Sequence, residues 1–439
     1  MRMRFFRMIS ILICLLVLCG CHHDMNDSAQ AGVLQEVSAK QPEEIVMVTI
    51  DSSTFLLEKA IEDFNTSQDD YFVKLVKYEY EGLDDMEDLR TRLYASLLHE
   101  DSPDLLDLRQ LDEVALSKNG YLEDLTPWLE NSAVLSKNDY ETQVLECGNV
   151  CGIQAFLPKT IGLRFMVMSP NVYNGNGWTY EDLLRVWKEH PNANELTMGS
   201  CIDTFLSSNL SYFINFDKAE CDFNSEEFQK LLSWILERPG RVDNGSRSED
   251  EIREDIQNGK ILWRSKRVLS IRDIQFIEEE FGGETNYVGY PSPDGEPLFW
   301  LETMNNIGIM KHSAHKEGAW KFLEFYQKHR DEQQSFIYEL PGDRALREQL
   351  FQEELAQTSE TIGAGEEGAR LYRGRYSTER ETQIFNELLS KARKLPDCND
   401  DIWEIFCQEL PACLSGEKNV EDVTGILQSR IGLYLKENR

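Results

Sequence analysis

The residue whose neighbours most clearly specify a reaction is Cys21, which closes the tetrad Leu18-Cys19-Gly20-Cys21. An aliphatic residue three places ahead, a small residue directly ahead and then cysteine is the pattern of a lipobox. In that motif the thiol takes a diacylglycerol and the cysteine becomes the new N-terminus. The preceding residues fit: Arg2, Arg4 and Arg7 make a positive start, and Met8 to Leu18 make an apolar run. At about a dozen residues the run is too short for a membrane span of roughly 20. The pattern predicts a signal peptide over 1–20 and a lipid anchor at Cys21, on the extracellular face of a bacterial cell membrane. Residues 21–44, polar and poor in large apolar side chains, read as a disordered tether.

The motifs of nucleophilic, zinc and phosphate-loop chemistry are missing. No G-x-S-x-G, H-E-x-x-H or G-x-x-x-x-G-K-[ST] occurs, and beyond His22 and His23 at the start of the tether only His312 and His315 stand close together. Neither a cofactor nor a metal is expected. With 78 Asp+Glu, chance carboxylate pairs keep a glycoside hydrolase open as the enzymatic alternative. Seven cysteines remain after Cys21, an odd number that leaves at least one thiol unpaired, and their spacing is not that of a zinc ribbon. The net charge of −33 becomes more negative once the three arginines of the leader are removed. A surface so acidic repels nucleic acid and anionic headgroups.

The chain behind the tether is long enough for two domains. Ile45–Ile50 is a β-branched run and reads as a strand. Phe55–Asn65 carries a helical stripe of Phe55, Leu56, Ala60, Ile61 and Phe64 behind the cap-rich Asp51-Ser52-Ser53-Thr54. Tyr71–Tyr80 reads as a second strand, Leu83–His99 as a second helix and Asp104–Leu108 as a third strand. This β-α-β-α-β order predicts an α/β fold with a parallel sheet flanked by helices. Ligands of such sheets collect beyond the C-terminal ends of the strands, which makes Asp51, Ser52, Asp107 and Arg109 candidates for binding.

The stretch "LEKAIEDFN" followed by "SPDLLDLRQLDEVALSKNGYLEDLTPWLE" resembles the carbohydrate-type extracellular solute-binding proteins of ABC importers (family 1). "GWTYEDLL" at Gly177, "GYPSPDGE" at Gly289, "KEGAWKFLEFY" at Lys316 and the closing "SGEKNVEDVTGILQSRIGLYLKE" extend the likeness over nearly all of 45–437. The resemblance implies a two-lobed clamshell of the type II periplasmic-binding-protein kind. Lobe one would be 45–158 plus 301–337, and lobe two 159–300 plus 338–439. It further implies a monomeric, lipid-anchored receptor that captures a small solute, a sugar or oligosaccharide, and delivers it to ABC permease subunits. A ligand-sensing lipoprotein serving a membrane kinase is the other binding role.

Sugar rings lie flat on aromatic side chains, while their hydroxyls need Asp, Glu, Asn or Arg as partners. By the resemblance, Trp263 and Arg264 end a strand that lines the cleft, and Trp300 and Glu302 sit where the chain returns between lobes. Tyr372, Arg375 and Tyr376 approach from lobe two, and Arg164 serves a ligand or a hinge ion pair. Trp178 reads as a packing anchor with Thr179 as N-cap, and the acidic run Glu278–Glu280 as a solvated helix end. The segment Phe165-Met166-Val167-Met168 departs from the family, which commonly has Tyr-Asn at the end of that strand.

Overall fold

The computed structural model describes residues 41–78, 86–97, 102–191, 193, 207–215, 218–237, 248–330, 340–356, 377–395 and 400–437. Cys21, Tyr372, Arg375 and Tyr376 lie outside them. The first strands follow the order read from the sequence: β1 (Glu43–Thr49), a helix (Phe55–Ser67), β2 (Tyr71–Lys77), a helix (Met86–Ser96) and β3 (Leu105–Asp107). β1 pairs in parallel with both β2 and β3, Val48 lying opposite Val76 on one side and Leu106 on the other. The helix Phe55–Ser67 buries Leu57, Ala60, Ile61 and Phe64. Phe55, which the periodicity placed in that stripe, is 60% exposed instead.

A hairpin of β4 (Asn149–Val150) and β5 (Ile153–Gln154) leads to the long strand β6 (Thr160–Met168). A second hairpin joins β7 (Ile214–Asn215) to β8 (Glu220–Cys221), and β9 (Trp263–Val268), β10 (Asn286–Tyr287) and β11 (Trp300–Met304) follow. β12 (Ile307–Ile309) then pairs antiparallel with β3, before β13 (Leu340–Pro341) and β14 (Arg393–Lys394). Among the described residues the strands form a four-stranded sheet, β12-β3-β1-β2, and a six-stranded sheet, β10-β6-β11-β14, with β9 and β13 also on β6. These sheets are the frameworks of two lobes. The chain changes sheet between β5 and β6, again at Asn305–Asn306, and a third time between the helix Lys316–Lys328 and β13. That helix belongs to the first sheet, with Phe322 edge-on to Phe64 at 5.3 Å.

β6 explains the departing Phe165–Met168 segment. Successive side chains of a strand point to opposite faces. Phe165 and Val167 accordingly join a core shared with the first sheet, while Met166 and Met168 join a second core with Trp178, Trp263 and Trp300. Both faces of the strand are covered there, so its run is apolar throughout. Trp178 anchors the second core as read, its Nε1 donating to Gly289 O at 3.0 Å. Thr179 caps the helix Tyr180–Glu189, accepting the Asp182 amide at 3.1 Å.

Candidate functional site

The rim of the first sheet is built where β1 and β3 end. Thr49 Oγ1 donates to Asp107 Oδ2 at 2.7 Å and accepts the Asp51 amide at 3.0 Å. Asp51 Oδ1 in turn accepts the Ser53 amide at 2.6 Å, which folds the Asp51–Thr54 turn over the strand end. Thr54, at the N-cap, makes no side-chain cap; its hydroxyl donates to Glu58 at 2.6 Å. Asp107 is buried, and Arg109 spans the gap between the two loops. Its Nε donates to Asp107 Oδ1 at 3.0 Å, its Nη2 to Oδ2 at 2.6 Å and its Nη1 to Ser53 O at 2.6 Å. Burial works against the charged guanidinium, yet the bonds and charge of Asp107 hold its pKa above the ordinary value. The structure therefore brings Asp51, Asp107 and Arg109 together, with Ser52 exposed beside them. Phe55, one residue beyond the turn, adds an exposed aromatic ring. Reading the sequence missed it, although its position directly behind a rim loop was the available signal.

On the six-stranded sheet the candidates divide by face. Arg164 lies opposite Arg267 in the β6–β9 register and opposite Trp300 in the β6–β11 register, so these side chains share a face with Glu302. Glu302 is held at 2.6 Å by Arg164 Nε on one oxygen and at 2.6 Å by Arg267 Nε on the other. Its side chain is 9% exposed, while those of Arg164 and Arg267 are 42% and 44% exposed. Arg267 was also missed; the period of two along β9 puts it, and not Arg264, beside Arg164.

Arg264 points to the opposite face and pairs with Glu280, which Lys266 also engages. Burial, then the neighbouring Arg264, pull the Lys266 pKa down against the attraction of Glu280. Of the acidic run only Glu279 is the solvated helix-end residue expected: Glu280 is half-buried in its ion pairs, and Glu278 is buried and pairs with Arg380 at 2.6 Å. Trp263 is 0% exposed, packed edge-on against Trp178 at 5.2 Å, and Trp300 is 3% exposed. In this conformation Trp263 offers no surface to a guest. Among the described residues no hydrogen-bond partner meets the indole N–H of either Trp263 or Trp300. No group of three or more His, Cys, Asp and Glu able to hold a metal ion occurs among the described residues.

Neither a protein-family model nor a curated protein sequence matches the chain. Solved structures do. The sugar-binding protein MalE from Xanthomonas citri is 14% identical, with a TM-score of 0.62 over 90% of this chain and 98% of that one. An ABC substrate-binding protein from Listeria monocytogenes, solved with cycloalternan, is 15% identical, with a TM-score of 0.56 over 90% of this chain and 100% of that one. An extracellular solute-binding protein of family 1 from Alicyclobacillus acidocaldarius is 14% identical, with a TM-score of 0.56 over 90% and 99%. All three are binding proteins by description, and the likeness extends over both sheets.

Proposed function

We propose, from the premise that this chain has the two-lobed fold of the extracellular solute-binding proteins of ABC importers, that it is itself such a receptor. Its guest is a sugar or oligosaccharide, carried to a permease by a protein held to the membrane through a lipid on Cys21. The observation that supports this reading is the first-sheet rim, because a fold by itself does not fix a function. There an exposed Phe55 follows directly on the Asp51–Thr54 turn, which Arg109 ties to Asp107 through Ser53 O, so one loop carries an aromatic surface together with donors and acceptors. Those are the two demands of a pyranose: a flat C–H face to cover and hydroxyls to satisfy. A guest gripped by both lobes favours the closed arrangement by its differential contacts, and a permease reads that state.

Thermal-shift screening of the purified protein against mono- and oligosaccharides, amino acids and polyamines tests the reading. A true guest at a hundredfold excess over its Kd stabilises the protein by about 2.7 kcal/mol. A shift by saccharides, without turnover of oligomers, is expected. Hydrolysis of those oligomers would move the assignment to a glycosidase, and a shift by amino acids or polyamines alone would remove the carbohydrate assignment.

A further inference from the structure

We propose that the open strip of β6, β9 and β11 beside the crossing at Asn305 is a subsite for an oxyanion, so that the guest is an acidic saccharide. The inference rests on the receptor reading above and names the chemical class of its ligand. Along this face the far end is sealed by Met166, Met168 and Trp263 in the second core. Nearer the crossing the seal ends, and Arg164 and Arg267 stand about half open to solvent. The strip adjoins the junction between the lobes: Arg267 Nη2 reaches Met304 Sδ at 3.0 Å, and Met304 is the last residue before the chain leaves the sheet.

The chemistry on offer there is one-sided. Guanidinium and indole groups only donate hydrogen bonds. Glu302 is the carboxylate within the set; its two oxygens lie 2.6 Å from one arginine Nε each, and Oε2 is buried without a hydrogen bond, closed off from a guest. The groups of the strip that face solvent are Arg164 and Arg267, while the indole of Trp300, the cross-strand neighbour of Arg164, is buried in the second core and offers its N–H to no guest in this conformation. A sugar hydroxyl brought to this strip would leave its own proton without an acceptor. A carboxylate or sulfate brings acceptors alone, and a planar carboxylate matches the guanidinium fork. The three ionised groups sum to one positive charge. The Arg393–Glu296 pair, with Arg393 opposite Trp300 on the next strand, adds no net charge to that sum.

Calorimetric titration of the purified full-length protein with trigalacturonate, galactose 6-sulfate and maltotriose decides the matter. Trigalacturonate is expected to bind at least about tenfold more tightly than maltotriose, and to lose affinity between about 0.05 M and about 0.5 M salt while maltotriose does not. Tight binding by galactose 6-sulfate in place of trigalacturonate would keep the oxyanion site and assign it to sulfate. Two variants read the site itself. Arg267→Gln should weaken the acidic ligand about tenfold, and Glu302→Gln should strengthen it by freeing both guanidiniums. A merely structural ion cluster would weaken binding in both variants or in neither. Binding of maltotriose at equal or better affinity overturns the oxyanion subsite and leaves the receptor reading intact. Binding of no saccharide, neutral or charged, overturns both.

Discussion

At the scale of single residues, exposure separates platform from core. Phe55 is 60% exposed and contributes little to folding, so Phe55→Ala is expected to leave the melting temperature of the unliganded protein unchanged. Covering that ring with a sugar face is worth about 2 kcal/mol, so the variant should lose roughly thirtyfold in saccharide affinity by calorimetric titration. An unchanged Kd would take Phe55 out of the site. Trp263 is the converse case. It fills the second core against Trp178, and truncation to alanine should cost about 3–5 kcal/mol in the absence of any ligand, read by denaturant unfolding. The choice between Phe55 and Trp263 was not legible in the sequence. Trp263 shares its core with residues of helices distant in the chain, Tyr180–Glu189 and Val420–Glu437, whereas Phe55 is the first residue of a helix whose buried stripe begins at Leu57.

At the scale of elements, two helices share one capping device with opposite electrostatic consequences. Asp182 and Asp273 both stand at the third position of their helices and accept the amide of the N-cap residue, at 3.0 Å and 2.8 Å. Burial raises the Asp182 carboxyl, but Arg185 and the bonds from Thr179 outweigh it, and its pKa falls below the ordinary 3.8. For Asp273 burial prevails over the Leu269 and Ser270 amides, and the pKa lies above 3.8. A lowered carboxylate contributes stability present above pH 3.8 and lost as pH falls through the still lower folded value. A raised one contributes stability present in acid and lost as pH climbs through its folded value. Melting curves from about pH 3 to pH 7 should therefore show Asp182→Asn losing ground to the wild type as pH rises, and Asp273→Asn gaining it. Parallel slopes would contradict the contrast. The elements themselves were largely legible: β1 to β3 and their helices sit where periodicity put them, with the second helix trimmed from Leu83–His99 to Met86–Ser96. The rim residues Asp51, Asp107 and Arg109 followed from strand order alone. What stayed hidden were partners remote in the chain, such as Arg380 for Glu278 and Arg267 for Glu302, because nothing local marks an ion pair that the tertiary fold creates.

At the scale of the whole molecule, the two sheets are joined more closely than a hinge between independent bodies would require. One core contains Ile45, Met47, Leu105 and Ile307 from around the first sheet and Ile161, Leu163, Phe165 and Leu301 from the second, with Leu157 from the segment that links them. Polar bonds reinforce the crossings. Lys159 Nζ donates to Tyr326 O and His329 O, both at 2.6 Å, at the end of the helix Lys316–Lys328. Asn305 Nδ2 donates to Thr160 Oγ1 at 3.1 Å, and Tyr326 OH donates to Asn305 O at 3.1 Å, so all of these crossing residues are tied to one helix end or to each other. Unfolding either sheet would expose apolar surface on the other, which couples their stabilities. Scanning calorimetry should accordingly give a single endotherm whose calorimetric and van't Hoff enthalpies agree, and saccharide should move that endotherm as a whole. Two resolved transitions, with only one responding to ligand, would show that the shared core does not couple the lobes and that closure is carried by bodies that melt separately.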